Sequence, residues 1–136
     1  MERLRLGKHK IRIPAVCGAV IGKNLDEVRT GITSAVKQGA DLVELRMDGL
    51  QNTEGWEELP LEDVPIILTN RPNREGGSFK GEERKRVELL AKGIQRGVAC
   101  VDIELSTPKK LRDSLVADAK DSGVTVLMSH HDFSTT

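Results

Sequence analysis

The chain has 136 residues, with 21 Lys and Arg against 21 Asp and Glu, so no net field favours a nucleic acid, an anionic membrane or a basic partner, and a small-molecule partner is expected. That length suits one domain with a real core but falls short of the ~250 residues of a complete eight-stranded α/β barrel. Hydrophobic residues are 38% of the chain but aromatics only 2%, with no Tyr, so the core must be built from Val, Ile, Leu and Ala, the diet of parallel sheets.

The two cysteines, Cys17 and Cys100, lie inside apolar runs and not in a close Cys-x-x-Cys pair, which makes them core filler and not a disulfide. The N-terminal stretch MERLRLGKHK has no apolar segment that could serve as a signal peptide, and no apolar run approaches the ~18 residues of a membrane-spanning helix. A reduced, cytoplasmic protein is expected.

Apolar, β-rich runs alternate with charged stretches of helical period, the pattern of repeated βαβ units. The first strand is predicted over Ile13 to Ile21, ending at Gly22. Asn24 then caps a helix with Glu27 three residues on, with Leu25, Val28, Ile32, Ala35 and Val36 on its buried stripe and Gly39 at its end. Ala40 to Met47 forms a second strand and Val64 to Thr69 a third, with only short helix between them. The turn-rich stretch NRPNREGGS leads to a long charged helix from about Gly81 to Arg96, buried through Val87, Leu90, Ala91 and Ile94. A fourth strand runs from Val98 to Leu105, Thr107 and Pro108 open a further helix by cap and N1 proline, and Val124 to Ser129 is a fifth strand. No linker or second domain is apparent, so residues 1–136 are read as a single domain.

Side chains on a strand alternate faces. In the second strand Val43, Leu45 and Met47 share one apolar face, while Leu42, Glu44 and Arg46 share the other. In the fourth, Val101, Ile103 and Leu105 lie opposite Asp102 and Glu104. An open sheet with helices on both faces would bury four charged side chains, at several kcal/mol for each unpaired ion. In a barrel the charged face lines the lumen, and its upper end lies where the active sites of such barrels are found. A (β/α) barrel is therefore favoured, with an open sheet as the alternative. Glu44 with Arg46, and Asp102 with Glu104, serve either a site or ion pairs that only offset their own burial.

The third strand delivers Thr69 and Arg71 to its C-terminal end, beside an amide-rich loop suited to a carboxylate or phosphate. In Ser129-His130-His131-Asp132-Phe133 the adjacent histidines point to opposite faces, which argues against a shared metal site. His131 has the parity of Thr125, Leu127 and Ser129, making it the candidate acid/base.

Four strings, VELRMD (Val43 to Asp48), TNRPNREGG (Thr69 to Gly77), VDIEL (Val101 to Leu105) and MSHHDFSTT (Met128 to Thr136), occur in order at the predicted strand ends. In this the chain resembles type I 3-dehydroquinate dehydratase over nearly its whole length. The resemblance implies an incomplete TIM-type (β/α) barrel, with about five of eight strands and four helical connections. It also implies a lyase of the shikimate pathway that dehydrates 3-dehydroquinate to 3-dehydroshikimate through a lysine Schiff base, with no cofactor and no metal. The protonated imine acidifies the neighbouring carbon–hydrogen bond, and a histidine removes the proton.

By the same resemblance His131 is the catalytic acid/base and Glu75 positions it. Glu44, Arg46 and Arg71 bind substrate, Asp102 and Glu104 support them, and His130 has no role. In the family the Schiff-base lysine lies about one βα unit beyond the histidine motif, and no lysine stands in a lumen-facing strand segment of this chain, so inactivity of the chain alone is expected. A homo-oligomer, a dimer, is expected, with open edges at the first and fifth strands inviting association. A non-catalytic fragment or polyhydroxy-acid-binding module of the same fold, and a phosphate-binding barrel fragment suggested by Arg74-Glu75-Gly76-Gly77, stand as alternatives.

Overall fold

The computed structural model describes residues 2–61 and 63–133. An antiparallel hairpin of β1 (Arg3–Leu6) and β2 (His9–Arg12) precedes five parallel strands, β3 (Cys17–Ile21), β4 (Leu42–Arg46), β5 (Ile66–Thr69), β6 (Cys100–Glu104) and β7 (Thr125–Ser129), which lie side by side in chain order. The helices α1 (Leu25–Lys37), α2 (Glu83–Gln95) and α3 (Lys109–Ser122) connect β3 to β4, β5 to β6 and β6 to β7. Between β4 and β5 the helical connection is reduced to two 3-10 turns, Met47–Gly49 and Trp56–Glu58. This is part of a (β/α) barrel, as the strand parity predicts.

The helix-facing parity residues form the core. Val43, Leu45, Ile66, Leu68, Val101 and Ile103 are fully buried and cluster with Val28 and Ile32 of α1, Leu90 and Ile94 of α2, and Leu115 and Ala119 of α3. Each such aliphatic side chain contributes about 1.5–3 kcal/mol by leaving water. At the start of α1 the Asn24 side chain accepts from Glu27 N (2.9 Å), while the Glu27 carboxylate reaches back to Lys23 N (2.6 Å), satisfying two donors that the helix cannot.

The hairpin was not expected. Its signal is the alternation of Leu4 and Leu6 with arginines on one arm and of His9 and Ile11 on the other, around Gly7 in the left-handed region. Leu6 and Ile11 pack onto Leu42, Ala99 and Cys100, closing the N-terminal end of the inner face, and Gly7 N donates to Thr125 Oγ1 (2.8 Å).

Several sequence expectations are corrected. Strand β3 begins at Cys17, and Cys17 is exposed because it lies on the inner face of an edge strand; only Cys100 is core, where burial pushes its thiol up to about 12. Leu105 and Val36 are exposed, the first because β6 ends at Glu104 and the second because it lies at the rim of the α1 stripe. Thr107 does not cap α3: Pro108 occupies the cap position, and the Thr107 hydroxyl instead accepts from Arg86 Nη2 (3.0 Å). Residues 134–136, the end of the MSHHDFSTT string, lie outside the described residues. Among the described residues no helix is long and apolar enough to cross a membrane.

Candidate active site

Strand parity places Glu44 and Arg46 of β4, Thr69 of β5, Asp102 and Glu104 of β6 and Ser129 of β7 on the inner face, with Arg71 just beyond β5. Register brings them together toward the C-terminal strand ends. Thr69 Oγ1 donates to Glu44 Oε2 (3.0 Å). The Arg71 guanidinium donates to Asp102 Oδ2 (2.8 Å), Glu104 Oε2 (2.6 Å) and Ser129 Oγ (3.0 Å), and Ser129 in turn donates to Asp102. Glu44 and Arg46 are half-buried, whereas Arg71 is only 6% exposed, so Glu44 and Arg46 present most of the accessible charge of the trio.

Asp48 carries no role in the sequence reading, yet it joins two strand ends and a loop. Its carboxylate takes a two-pronged pair from Arg46 (2.9 and 2.7 Å), the backbone N–H of Arg71 (3.1 Å) and that of Ser78 (3.0 Å). Burial alone would raise the pKa of Asp48; these hydrogen bonds, Arg46 foremost, outweigh it and hold the carboxyl below the usual range. The hydrogen bond to Asp48 likewise keeps Arg46 firmly charged. The signal was available, since Asp48 continues the spacing of Glu44 and Arg46.

Arg86 was missed as well. It is fully buried under α2 and donates to Glu104 Oε1 (2.6 Å), the Asn70 carbonyl (3.2 Å), Thr107 Oγ1 (3.0 Å) and Glu83 Oε2 (2.6 Å). Its spacing from Leu90, one helical turn on, places it on the buried stripe. Glu104 thus lies between two guanidiniums, Arg71 on the inner face and Arg86 behind it.

The loop after β5 forms a 3-10 turn, Asn73–Glu75, that turns Glu75 inward. Gly76 follows in the left-handed region with the Phe133 ring lying against it. At Gly77 a Cβ would stand 2.1 Å from the Arg71 carbonyl oxygen, so no side chain fits. Glu75 Oε1 receives His131 N (2.9 Å) and lies 3.2 Å from His131 Nδ1, and Oε2 accepts from Ser106 Oγ. Burial works to raise the pKa of Glu75, but the hydrogen bonds from Ser106 and His131 prevail and lower it. His130 is exposed. Among the described residues no group of three or more His, Cys, Asp or Glu could hold a metal ion.

Parallel strands walled by helices on one face, with a carboxylate-held histidine and paired charges at their C-terminal ends on the other, define part of a (β/α) barrel with a cluster of ionisable side chains at its mouth. The family model described as type I 3-dehydroquinase matches residues 16–136, and the chain belongs to that family of lyases. It is 40% identical over 131 residues to a 3-dehydroquinate dehydratase of Methanosarcina barkeri, covering 90% of this chain and 52% of the relative. A Methanobrevibacter smithii 3-dehydroquinate dehydratase is 41% identical over 105 residues, covering 74% and 44%. The chain spans about half the length of these curated relatives. Among solved structures it resembles the Clostridium difficile type I enzyme with covalently modified comenic acid (TM-score 0.80, 25% identity, 99% of this chain and 58% of that one). The Aquifex aeolicus 3-dehydroquinate dehydratase is also similar (TM-score 0.71, 29% identity, 88% and 54%).

Proposed function

We propose that residues 1–136 carry the acid/base and part of the substrate-binding side of a site that dehydrates 3-dehydroquinate to 3-dehydroshikimate through a lysine Schiff base. The observation that supports this reading most is the double contact of His131 with Glu75. A carboxylate that accepts from both the main chain and Nδ1 of one histidine fixes the ring and leaves Nε2 to exchange a proton with a substrate.

In this reading a lysine amine attacks the substrate ketone and expels water, giving a protonated imine. His131 removes a proton from the adjacent carbon, electrons flow toward the imine nitrogen, and the hydroxyl leaves as water with a proton returned by His131; hydrolysis of the imine frees the product. Glu44 and Arg46 contact the polyhydroxy acid, where Arg46 suits a carboxylate. Arg71 meets the substrate with what its internal bonds leave free, and Asp102 and Glu104 hold Arg71 in place. None of the five parallel strands contains a lysine, so the nucleophile is assigned to a segment beyond residues 1–136.

The phosphate reading loses its motive. Arg74, the cation that suggested it, is engaged by Glu83 (2.7 Å) and Ser106 (3.1 Å), and the two glycines stand where Phe133 and the Arg71 carbonyl leave no room for a side chain. The test is to incubate the chain with 3-dehydroquinate and borohydride and to weigh it. No adduct and no 3-dehydroshikimate are expected; an imine trapped on a lysine of residues 1–136, with turnover, would overturn the assignment of the nucleophile.

A further inference from the structure

His131 does not depend on Glu75 alone. Ser106, in the loop after β6, donates its hydroxyl hydrogen to Glu75 Oε2, the oxygen that His131 does not use. Arg74 Nε donates to Ser106 Oγ (3.1 Å), and Arg74 Nη2 is anchored on Glu83 Oε1 (2.7 Å) at the start of α2. Glu83 is anchored in turn by the fully buried Arg86.

The hydrogen count fixes the direction of this relay. A serine hydroxyl has one hydrogen and two lone pairs, and a guanidinium can only donate. With Arg74 Nε–H occupying a lone pair of Ser106, the hydroxyl hydrogen is free for Glu75. An ionised Glu75 can then only accept: from Ser106 on Oε2, and from His131 N–H and the ring on Oε1. The ring nitrogen facing Oε1 must therefore carry the proton, and the lone pair of a neutral His131 must be on Nε2.

We infer that Ser106 is a positioning residue for the proposed dehydration. Set by Arg74, it holds Glu75 in the orientation that keeps His131 in the Nδ1–H form with Nε2 as the free base. The inference rests on the reading of His131 as the acid/base. It adds the loop after β6, and through Arg74 and Glu83 the start of α2, to the machinery that aims the histidine. Neither Ser106 nor Arg74 needs to touch substrate.

The experiment reads the tautomer and not the turnover. Nitrogen-15 spectra of the His131 ring are recorded for the unaltered chain and for Ser106→Ala, Ser106→Thr and Arg74→Gln. The ratio is read on the alkaline plateau of a pH series, where the ring shifts no longer change with pH. The Nδ1–H form should dominate in the unaltered chain. Ser106→Ala should move the ratio about three- to tenfold toward Nε2–H, as loss of a charge-assisted hydrogen bond would. Ser106→Thr, which keeps the hydroxyl, should stay within about twofold of the unaltered chain, and Arg74→Gln should move the ratio in the same direction as Ser106→Ala. Backbone amide spectra establish that each variant is folded, and the surface change at Arg74 keeps the test open if Ser106→Ala is not. An unchanged ratio in the folded Ala and Gln variants, or equal shifts in Ala and Thr, would overturn the inference while leaving the role of His131 in turnover untouched. A ratio that follows Ser106, together with no conversion of 3-dehydroquinate by residues 1–136 joined to the second half of the Methanosarcina barkeri relative, would sustain the relay and sink only the functional reading.

Discussion

His131 and Glu75, 56 positions apart, meet on a single carboxylate oxygen that takes both the main-chain N–H of the histidine (2.9 Å) and approaches its ring Nδ1 (3.2 Å). The main-chain bond fixes where the chain leaves β7, and the ring contact fixes where the imidazole faces. Glu75→Ala should remove both. Amide hydrogen exchange at His131 is then expected to quicken by at least about tenfold, the equivalent of one lost charge-assisted hydrogen bond, while amides in β6 stay protected.

Glu83 gives the chain an acid-sensitive contact. The hydrogen bond from Arg86, joined by that from Arg74, holds its carboxyl at about 2 against an ordinary value of 4.5. A depressed folded-state pKa contributes stability that is fully present above the ordinary value and is lost as pH falls from about 4.5 toward about 2. Urea titrations across that window should show the unaltered chain losing on the order of 2 kcal/mol more than Glu83→Gln. Parallel acid limbs in the two proteins would show that the ion pair contributes nothing.

Arg86 has no exposure, and Glu104 beside it has none. Arg86→Met fills most of the space but leaves a buried carboxylate with Arg71 as its remaining cation, at a cost of about 3–5 kcal/mol in chemical denaturation. A loss under about 1 kcal/mol would mean that Glu104 takes up a proton and is no longer an ion there.

The N-terminal hairpin should behave as a plug. Ile11→Ala, which removes a buried side chain from the cluster over Cys100, is expected to cost about 2–4 kcal/mol and to speed thiol labelling of Cys100. Cys17, exposed on the edge strand, should label quickly in both proteins. Unchanged protection of Cys100 in Ile11→Ala would contradict the plug.

Strand parity carried most of what the sequence showed. One apolar and one charged face on the same strand can be reconciled only if the two faces meet different surroundings, and this separates Val43 and Leu45 from Glu44 and Arg46 on sequence alone. Periodicity says less about residues that belong to two patterns at once. Arg86 sits on a buried stripe but carries the charge of a surface residue, so its polarity hid it. Ser106 lies in a turn, where no period applies and only tertiary contact with Glu75 gives it meaning. The hairpin gives a weak signal because its arms are short and rich in Arg and Lys, although Leu4 with Leu6 and His9 with Ile11 alternate as an edge ribbon requires.

The role of His131 is tested most directly by joining residues 1–136 to the second half of the Methanosarcina barkeri relative and measuring conversion of 3-dehydroquinate with and without His131→Ala. The fusion is expected to turn over. His131→Ala should reduce the rate at least about a hundredfold, while borohydride still traps an imine on a lysine outside residues 1–136, because the histidine moves the proton and the lysine forms the covalent link. Turnover by the His131→Ala fusion at a rate near that of its parent would contradict the assignment of His131 as the acid/base.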